Sequence, residues 1–124
     1  MIKYLFMREQ IKDPARLRHM LTAIESVFEY TDGISYDDFV SDTMRYHAVV
    51  YNIMIIGEAA YMLTQEFRDS HPETPWRQIK GMRHFLVHGY HQVEKDIVWK
   101  VITSELRLLK VQVLSYINET EELK

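Results

Sequence analysis

The sequence predicts an all-α fold, an antiparallel bundle of roughly four to five helices. Three observations carry this expectation. Four Gly and three Pro are spread over 124 residues, so breaks are sparse. Between the breaks, apolar residues recur at three- and four-residue spacing, as helices buried along one face require. Nowhere does the period-two alternation of a half-buried strand appear, nor an internal repeat or low-complexity segment. The length suits one domain, residues 1–124, built around a single core.

Residues 1–6 are short and apolar, without the length or cleavage site of a signal peptide. Asp13-Pro14 reads as an N-cap followed by proline at the first helical position. Leu17, Met20, Leu21, Ile24, Val27 and Phe28 form the apolar stripe of the helix that follows, and Gly33 closes it. A second, longer helix is expected to start at Ser35 or Asp37 and to run to about residue 68. Its centre, residues 48–56, is apolar nearly all round, so it must be covered on several sides, by neighbouring helices or by a second subunit.

Gly57 lies inside that helix at a cost of roughly 1 kcal/mol relative to Ala, which predicts the close approach of another helix there. Glu58 beside it reads as a structural partner for a buried cation. Tyr30, Tyr46, Tyr51 and Tyr61 read as core or interface aromatics. Ser70-His71-Pro72-Glu73-Thr74-Pro75 is the clear loop, with Thr74 able to cap a third helix and Pro75 at its first position. That helix carries Trp76, Ile79, Met82 and Leu86 and ends near Gly89. A fourth helix, rich in Val, Ile and Leu, spans about residues 95–118.

Composition narrows the function classes. The chain has no Cys, which excludes disulfides, thiolate zinc sites and cysteine nucleophiles. A net charge of −3 argues against a protein that coats the phosphate backbone of nucleic acid, so any polyanion site must be a local cluster of cations. No apolar run approaches the roughly 18 residues needed to span a bilayer, and a cytoplasmic location without membrane contact is expected.

The third helix departs from a plain core helix. At about 100° per residue, Trp76, Ile79, Met82, Leu86, Val87 and Tyr90 share one broad apolar arc. Arg77, Lys80, His84, His88 and His91 fall opposite, within roughly 80°, as a small anion-attracting patch or an ordinary solvated face. Arg83 falls in the middle of the apolar arc, where an unpaired charge is costly. Two readings stand open for it: a structural pair with an acid such as Glu58, or a functional guanidinium. His84 and His88 have the i, i+4 spacing of metal ligands. Phe85 stands where the zinc-protease motif has its Glu, however, and the pair is not read as a metal site. Arg83 and His88 diverge by about 140° on an ideal helix, so they meet on one group only if the Arg bends round or a second copy contributes.

Arg83-x4-His88-x-Tyr90 resembles the signature of HepT-type toxins, members of the HEPN superfamily of helical RNases. Ile56-Gly57-Glu58-Ala59-Ala60, His71-Pro72, Pro75-Trp76, Ile79 and Val98-Trp99 stand in that family's order and spacing, over roughly residues 7–115. Two positions depart from it: His84 where the family often has Asn, and Gly89 where it often has Asp. Residues 1–6 precede the usual start, with Met7 where such proteins commonly begin, so they are an N-terminal extension or the product of an upstream start.

The resemblance implies a dimerising HEPN-like bundle and a metal-independent ribonuclease with its site at the homodimer interface, needing no cofactor. Arg83 would bind the scissile phosphate, and His88 would serve as general acid or base, leaving a 2′,3′-cyclic phosphate. His84 would be an auxiliary contact, and Arg77, Lys80 and His91 are candidate RNA contacts. The partner implied is an MNT-type nucleotidyltransferase antitoxin that silences the toxin by transferring AMP to Tyr90. Two other readings stay open: a non-catalytic substrate-binding partner of a nucleotidyltransferase, and a helical adaptor whose motif is vestigial.

Overall fold

The computed structural model describes residues 13–89 and 95–122, the side chains of residues 88, 89 and 122 excepted. All regular structure among them is helical. α1 spans Asp13–Thr31, α2 Tyr36–Ser41, α3 Thr43–Met62, α4 Gln65–Ser70, α5 Trp76–Gly89 and α6 Lys95–Lys100. One π-helical turn, Val101–Glu105, joins α6 to α7, Leu106–Glu122.

Of the predicted stripe, α1 buries Leu17, Met20, Ile24 and Val27, with Ala23 beside them, while Leu21 and Phe28 are partly buried against the core. The Asp13 carboxylate reaches across the bundle instead of into its own first turn. It accepts from the Thr64 backbone N–H at 2.9 Å and the Thr64 hydroxyl at 2.7 Å. Gly33 takes a left-handed φ of 69°, which a residue without Cβ adopts at no steric cost, and the chain reverses there.

The expected helix from 35 to about 68 is three helices. Ser35 caps α2, accepting from the Asp38 N–H. Asp42 then ends α2 and begins α3: its backbone is extended, and its side chain accepts from the Arg45 N–H at 3.1 Å. Arg45 completes the corner with its Nε on Asp42 and its Nη1 on the Tyr30 carbonyl at 3.0 Å. Thr64 repeats the device, capping α4 through the Phe67 N–H at 3.1 Å. Short polar side chains that outcompete the helical ladder cut the run, although its apolar pattern continues.

α3 is the central helix, packed between α1 and α5. Its partners run antiparallel to it: Asp13 meets Thr64 at one end of α1, and Gly57 meets Arg83 on α5 while Tyr61 meets Lys80. α7 lies antiparallel along α1, with Arg18 paired to Glu121 near one end and Arg107 over the Phe28 ring near the other. α6 closes the far end of the bundle, where Trp99 meets Tyr36 edge-on and packs at a tilt against Phe39, and Lys95 donates to the Val40 carbonyl at 2.8 Å.

The expected fourth helix is therefore present from Lys95, with one π turn that a uniform apolar spacing does not reveal. The Leu106 N–H reaches back to the Val101 carbonyl, the i to i−5 bond of that turn. Among the described residues, no helix is long and apolar enough to cross a membrane.

Candidate functional site

α5 is held where its N-terminus begins and where it crosses α3. At the N-terminus, Trp76 is buried and donates from its indole to the His71 carbonyl at 2.9 Å. Thr74 does not spend its hydroxyl on capping α5; it is buried and donates to Gln112 Oε1 on α7 at 2.9 Å, beside the Tyr116 hydroxyl. Tyr116 in turn donates to Glu73 at 2.9 Å. Burial, aided by the Glu73 carboxylate and opposed by the Thr74 hydrogen bond, pushes the Tyr116 phenol up to about 12.

His71 is the buried centre of this brace. One ring nitrogen faces the Phe67 carbonyl at 2.8 Å and the other the Glu119 carboxylate at 2.9 Å. Both of these partners are acceptors, so the doubly protonated ring donates to each of them; the Ser70 hydroxyl also lies 3.1 Å from Nδ1. Burial lowers the His71 pKa, but the Phe67 carbonyl and the Glu119 carboxylate outweigh it, and the pKa is raised. The imidazole also stacks on Phe67, with centroids 4.0 Å apart.

The crossing of α5 over α3 depends on Gly57. A Cβ there would collide with the Arg83 Cβ and would stand 3.2 Å from the Ile79 carbonyl oxygen and 3.3 Å from the Arg83 Cα. The close approach predicted from the Gly is present, and Arg83 is the residue that fills it.

From that contact the Arg83 side chain runs along α3 to the surface, 33 % exposed. Its Nε pairs closely with Glu58 Oε2, and its guanidinium lies over the Tyr61 ring with Cζ 5.7 Å from the centroid. The Arg83–Glu58 pair, one of the two readings the sequence left open for Arg83, is present, and it sits at the rim of the seam, not in the core. The carboxylate occupies the Nε edge; no described residue hydrogen-bonds the two terminal nitrogens, which remain as a fork for a planar or tetrahedral anion.

Other candidate residues fall as follows. Lys80 shares the Tyr61 ring with Arg83, its Nζ 5.2 Å from the centroid, and so lies at the edge of the polar sector beside Arg83, three residues and about 60° away on an ideal helix. Arg77 and His84 are exposed. Val87, expected on the apolar arc, is also exposed, as is Phe85, whereas Leu86 is fully buried. The backbone of His88 belongs to α5, but its side chain lies outside the described part, and Tyr90 and His91 lie outside the described residues. Among the described residues, no three His, Asp or Glu side chains gather as a metal cluster would.

Sequence reasoning placed Tyr61 in the core or an interface; it is 51 % exposed and forms the floor under both cations. Its i+3 spacing from Glu58 is the signal that could have found it. Tyr46 is buried as expected, while Tyr30 and Tyr51 are exposed on this chain. A groove of about 460 Å³ opens elsewhere on α5, between α3 and α7, lined by Ile53, Ile56, Ile79, Met82, Leu106 and Leu109 among others. Its walls are mainly apolar and do not include Arg83, so it is not the anion site.

The amino-acid sequence matches known proteins over most of its length. The family model described as ribonuclease HepT-like matches residues 20–115. A protein of Caldanaerobacter subterraneus subsp. tengcongensis assigned as an RNase is 42 % identical over 97 residues, 78 % of this chain and 87 % of that one. One from Thermococcus cleftensis assigned as a ribonuclease HepT is 36 % identical over 94 residues, 76 % of this chain and 86 % of its own. One from Methanocaldococcus jannaschii assigned as an RNase is 31 % identical over 99 residues, 80 % of this chain and 91 % of its own. No solved structure matches the chain.

Proposed function

The chain belongs to the HepT-like ribonuclease family, and from that premise we propose that it is a metal-independent endoribonuclease, the toxin of a pair completed by an MNT-type nucleotidyltransferase. One observation supports this above the others. Arg83 is anchored at the rim of the α3–α5 seam by Glu58 and Tyr61 with its terminal nitrogens available, and His88 follows five residues later on the same helix.

In this reading Arg83 binds the scissile phosphate, and its fixed charge stabilises the negative charge that grows on the equatorial oxygens. His88 takes the proton of the ribose 2′-OH. The 2′-oxygen attacks phosphorus, the bond to the 5′-oxygen breaks, and that oxygen leaves with a proton. The products are a 2′,3′-cyclic phosphate and a 5′-hydroxyl. An imidazole with an ordinary pKa near 6.5 can serve as base or acid at neutral pH. His84 is an auxiliary contact, and Arg77, Lys80 and His91 contact RNA beyond the scissile phosphate.

The working form is a homodimer in which Arg83 of one protomer and His88 of its partner share a phosphate. Support for a self-association face comes from α3. Met44 is 85 % exposed and Tyr51 63 % exposed, seven residues apart on one helical stripe that continues to Glu58. Exposed apolar residues on a stripe that ends at the Arg83 pair are what a shared site requires. The nucleotidyltransferase silences the toxin by transferring AMP to Tyr90, adding bulk and negative charge seven residues after Arg83 in the motif.

The test is incubation of the purified protein with total RNA in EDTA, alongside Arg83→Ala and His88→Ala, after its mass has shown Tyr90 to be unmodified. Cleavage by wild type alone, with cyclic phosphate ends, is expected. Intact RNA from unmodified protein would favour the alternative, a non-catalytic substrate-binding partner of a nucleotidyltransferase.

A further inference from the structure

Resting on the nuclease reading and extending it to the substrate, we propose that Tyr61 is a stacking platform for an unpaired RNA base beside the phosphate held by Arg83. Lys80 would take a neighbouring phosphate, and the site would select single-stranded RNA.

Tyr61 occupies the last turn of α3, one turn beyond Glu58, and half of its surface is open while Ala59, Ala60 and Leu63 around it are buried. Two cations from α5 converge on this one ring, Lys80 at 5.2 Å and Arg83 at 5.7 Å. A third, Arg68 of α4, donates from Nη1 to the Tyr61 carbonyl at 3.3 Å. Glu58 is the acid that opposes them at the ring, and it is engaged with Arg83. On a chain of net charge −3, this is a concentrated basic patch with an exposed aromatic at its centre.

Cations interleaved with open aromatic faces are what proteins use on single strands: the cations track phosphates while bases stack on the rings. Each phosphate in a strand has a base within one nucleotide of it. A phosphate on the Arg83 fork therefore brings a base to the ring that supports the same guanidinium. As the phosphates engage Lys80 and Arg83, they draw the cations' charge toward themselves and free ring surface for the base. Bases inside an A-form duplex are already stacked and paired and cannot reach such a platform, which is why the site prefers unpaired RNA.

The experiment measures binding of fluorescent 2′-O-methyl oligonucleotides, which lack the attacking hydroxyl, to wild type, Tyr61→Ala and Tyr61→Phe, each first shown by thermal melting to be folded. A companion set of oligonucleotides carries a single abasic position, moved along the strand. Tyr61→Ala is expected to weaken binding roughly 5- to 100-fold, and Tyr61→Phe to stay within about twofold, since stacking needs the ring and not the hydroxyl. At one abasic position wild type and Tyr61→Ala should bind alike, because the base that stacks has been removed. Equal binding of Tyr61→Ala and wild type to the intact strand would overturn the proposal and leave the nuclease reading standing. A penalty that persists at every abasic position would also overturn it, showing that Tyr61 only supports Arg83. Wild type that binds no oligonucleotide would overturn both.

Discussion

Lysine cannot do the work assigned to Arg83. The guanidinium gives its Nε edge to Glu58, its face to Tyr61 and its terminal fork to an anion, three contacts from one rigid plane. An ammonium has the charge without the plane. Arg83→Lys should therefore retain weak RNA binding yet lose about 100-fold or more in kcat, on the order of 3 kcal/mol of transition-state stabilisation. The comparison is single-turnover cleavage beside a thermal melt, and a Lys variant within tenfold of wild type would remove the case for a bidentate phosphate contact. At this scale the residue types were legible in the sequence, and so was the Glu58 partner. The floor supplied by Tyr61 was not, because an aromatic in an apolar helix looks the same whether it faces inward or outward until the helix has neighbours.

Gly57 governs the element that carries the site. Alanine there gains roughly 1 kcal/mol of helix propensity, but its Cβ meets the Arg83 Cβ and crowds the backbone of α5. Overpacking of that kind costs about 1–3 kcal/mol when the helices must separate, so the net effect of Gly57→Ala is destabilising. Urea melts should show a lower midpoint with an unchanged slope, and RNA cleavage should fall further than stability alone explains, because Arg83 moves with α5. A midpoint equal to or above that of wild type would mean that the seam relaxes freely. The junction between α2 and α3 offers a second test. Asp42→Ala removes the cap on α3 and the anchor of Arg45, and should cost about 1 kcal/mol in the same melts. Helix content and the apolar stripes were readable from spacing, but the cuts at Asp42 and Thr64 were not. A capping side chain and a solvent-facing polar residue are the same letters, and only the turn of the chain shows which it is.

The whole molecule is tied together by the brace between the loop that precedes α5 and α7. Because the folded-state pKa of His71 is raised, its contribution to stability is fully present below the unfolded value of about 6.5 and fades as pH rises through the folded value. The groups around the ring are the Phe67 carbonyl on α4, Ser70, Glu73 in the loop, and Glu119 and Tyr116 on α7. Wild type should lose stability from mildly acidic to alkaline pH, and His71→Gln should flatten that part of the profile. Melting temperatures across the range decide it, and an unchanged slope in the variant would assign the pH response to other groups. The proposed shared site makes a separate demand. Co-expressed Arg83→Ala and His88→Ala chains, each inactive alone, should recover about a quarter of wild-type activity, since half the dimers are mixed and each of those holds one intact site. A site formed within one chain recovers none.

By itself the sequence determined the helical class, most of the core face of α1, the close crossing at Gly57 and the motif that marks the family. Each is written in spacing along one chain, through helical periodicity or through residue types at set intervals. The tertiary structure alone decided where α2, α3 and α4 part, where the π turn falls in the last helical run, and which side of α3 is left open. It also decided that Lys80 and Arg83 share the Tyr61 ring and that His71 is locked between α4 and α7. Those outcomes depend on which surfaces meet across the bundle, and a partner 48 residues away, as Glu119 is from His71, leaves no periodic trace in the sequence.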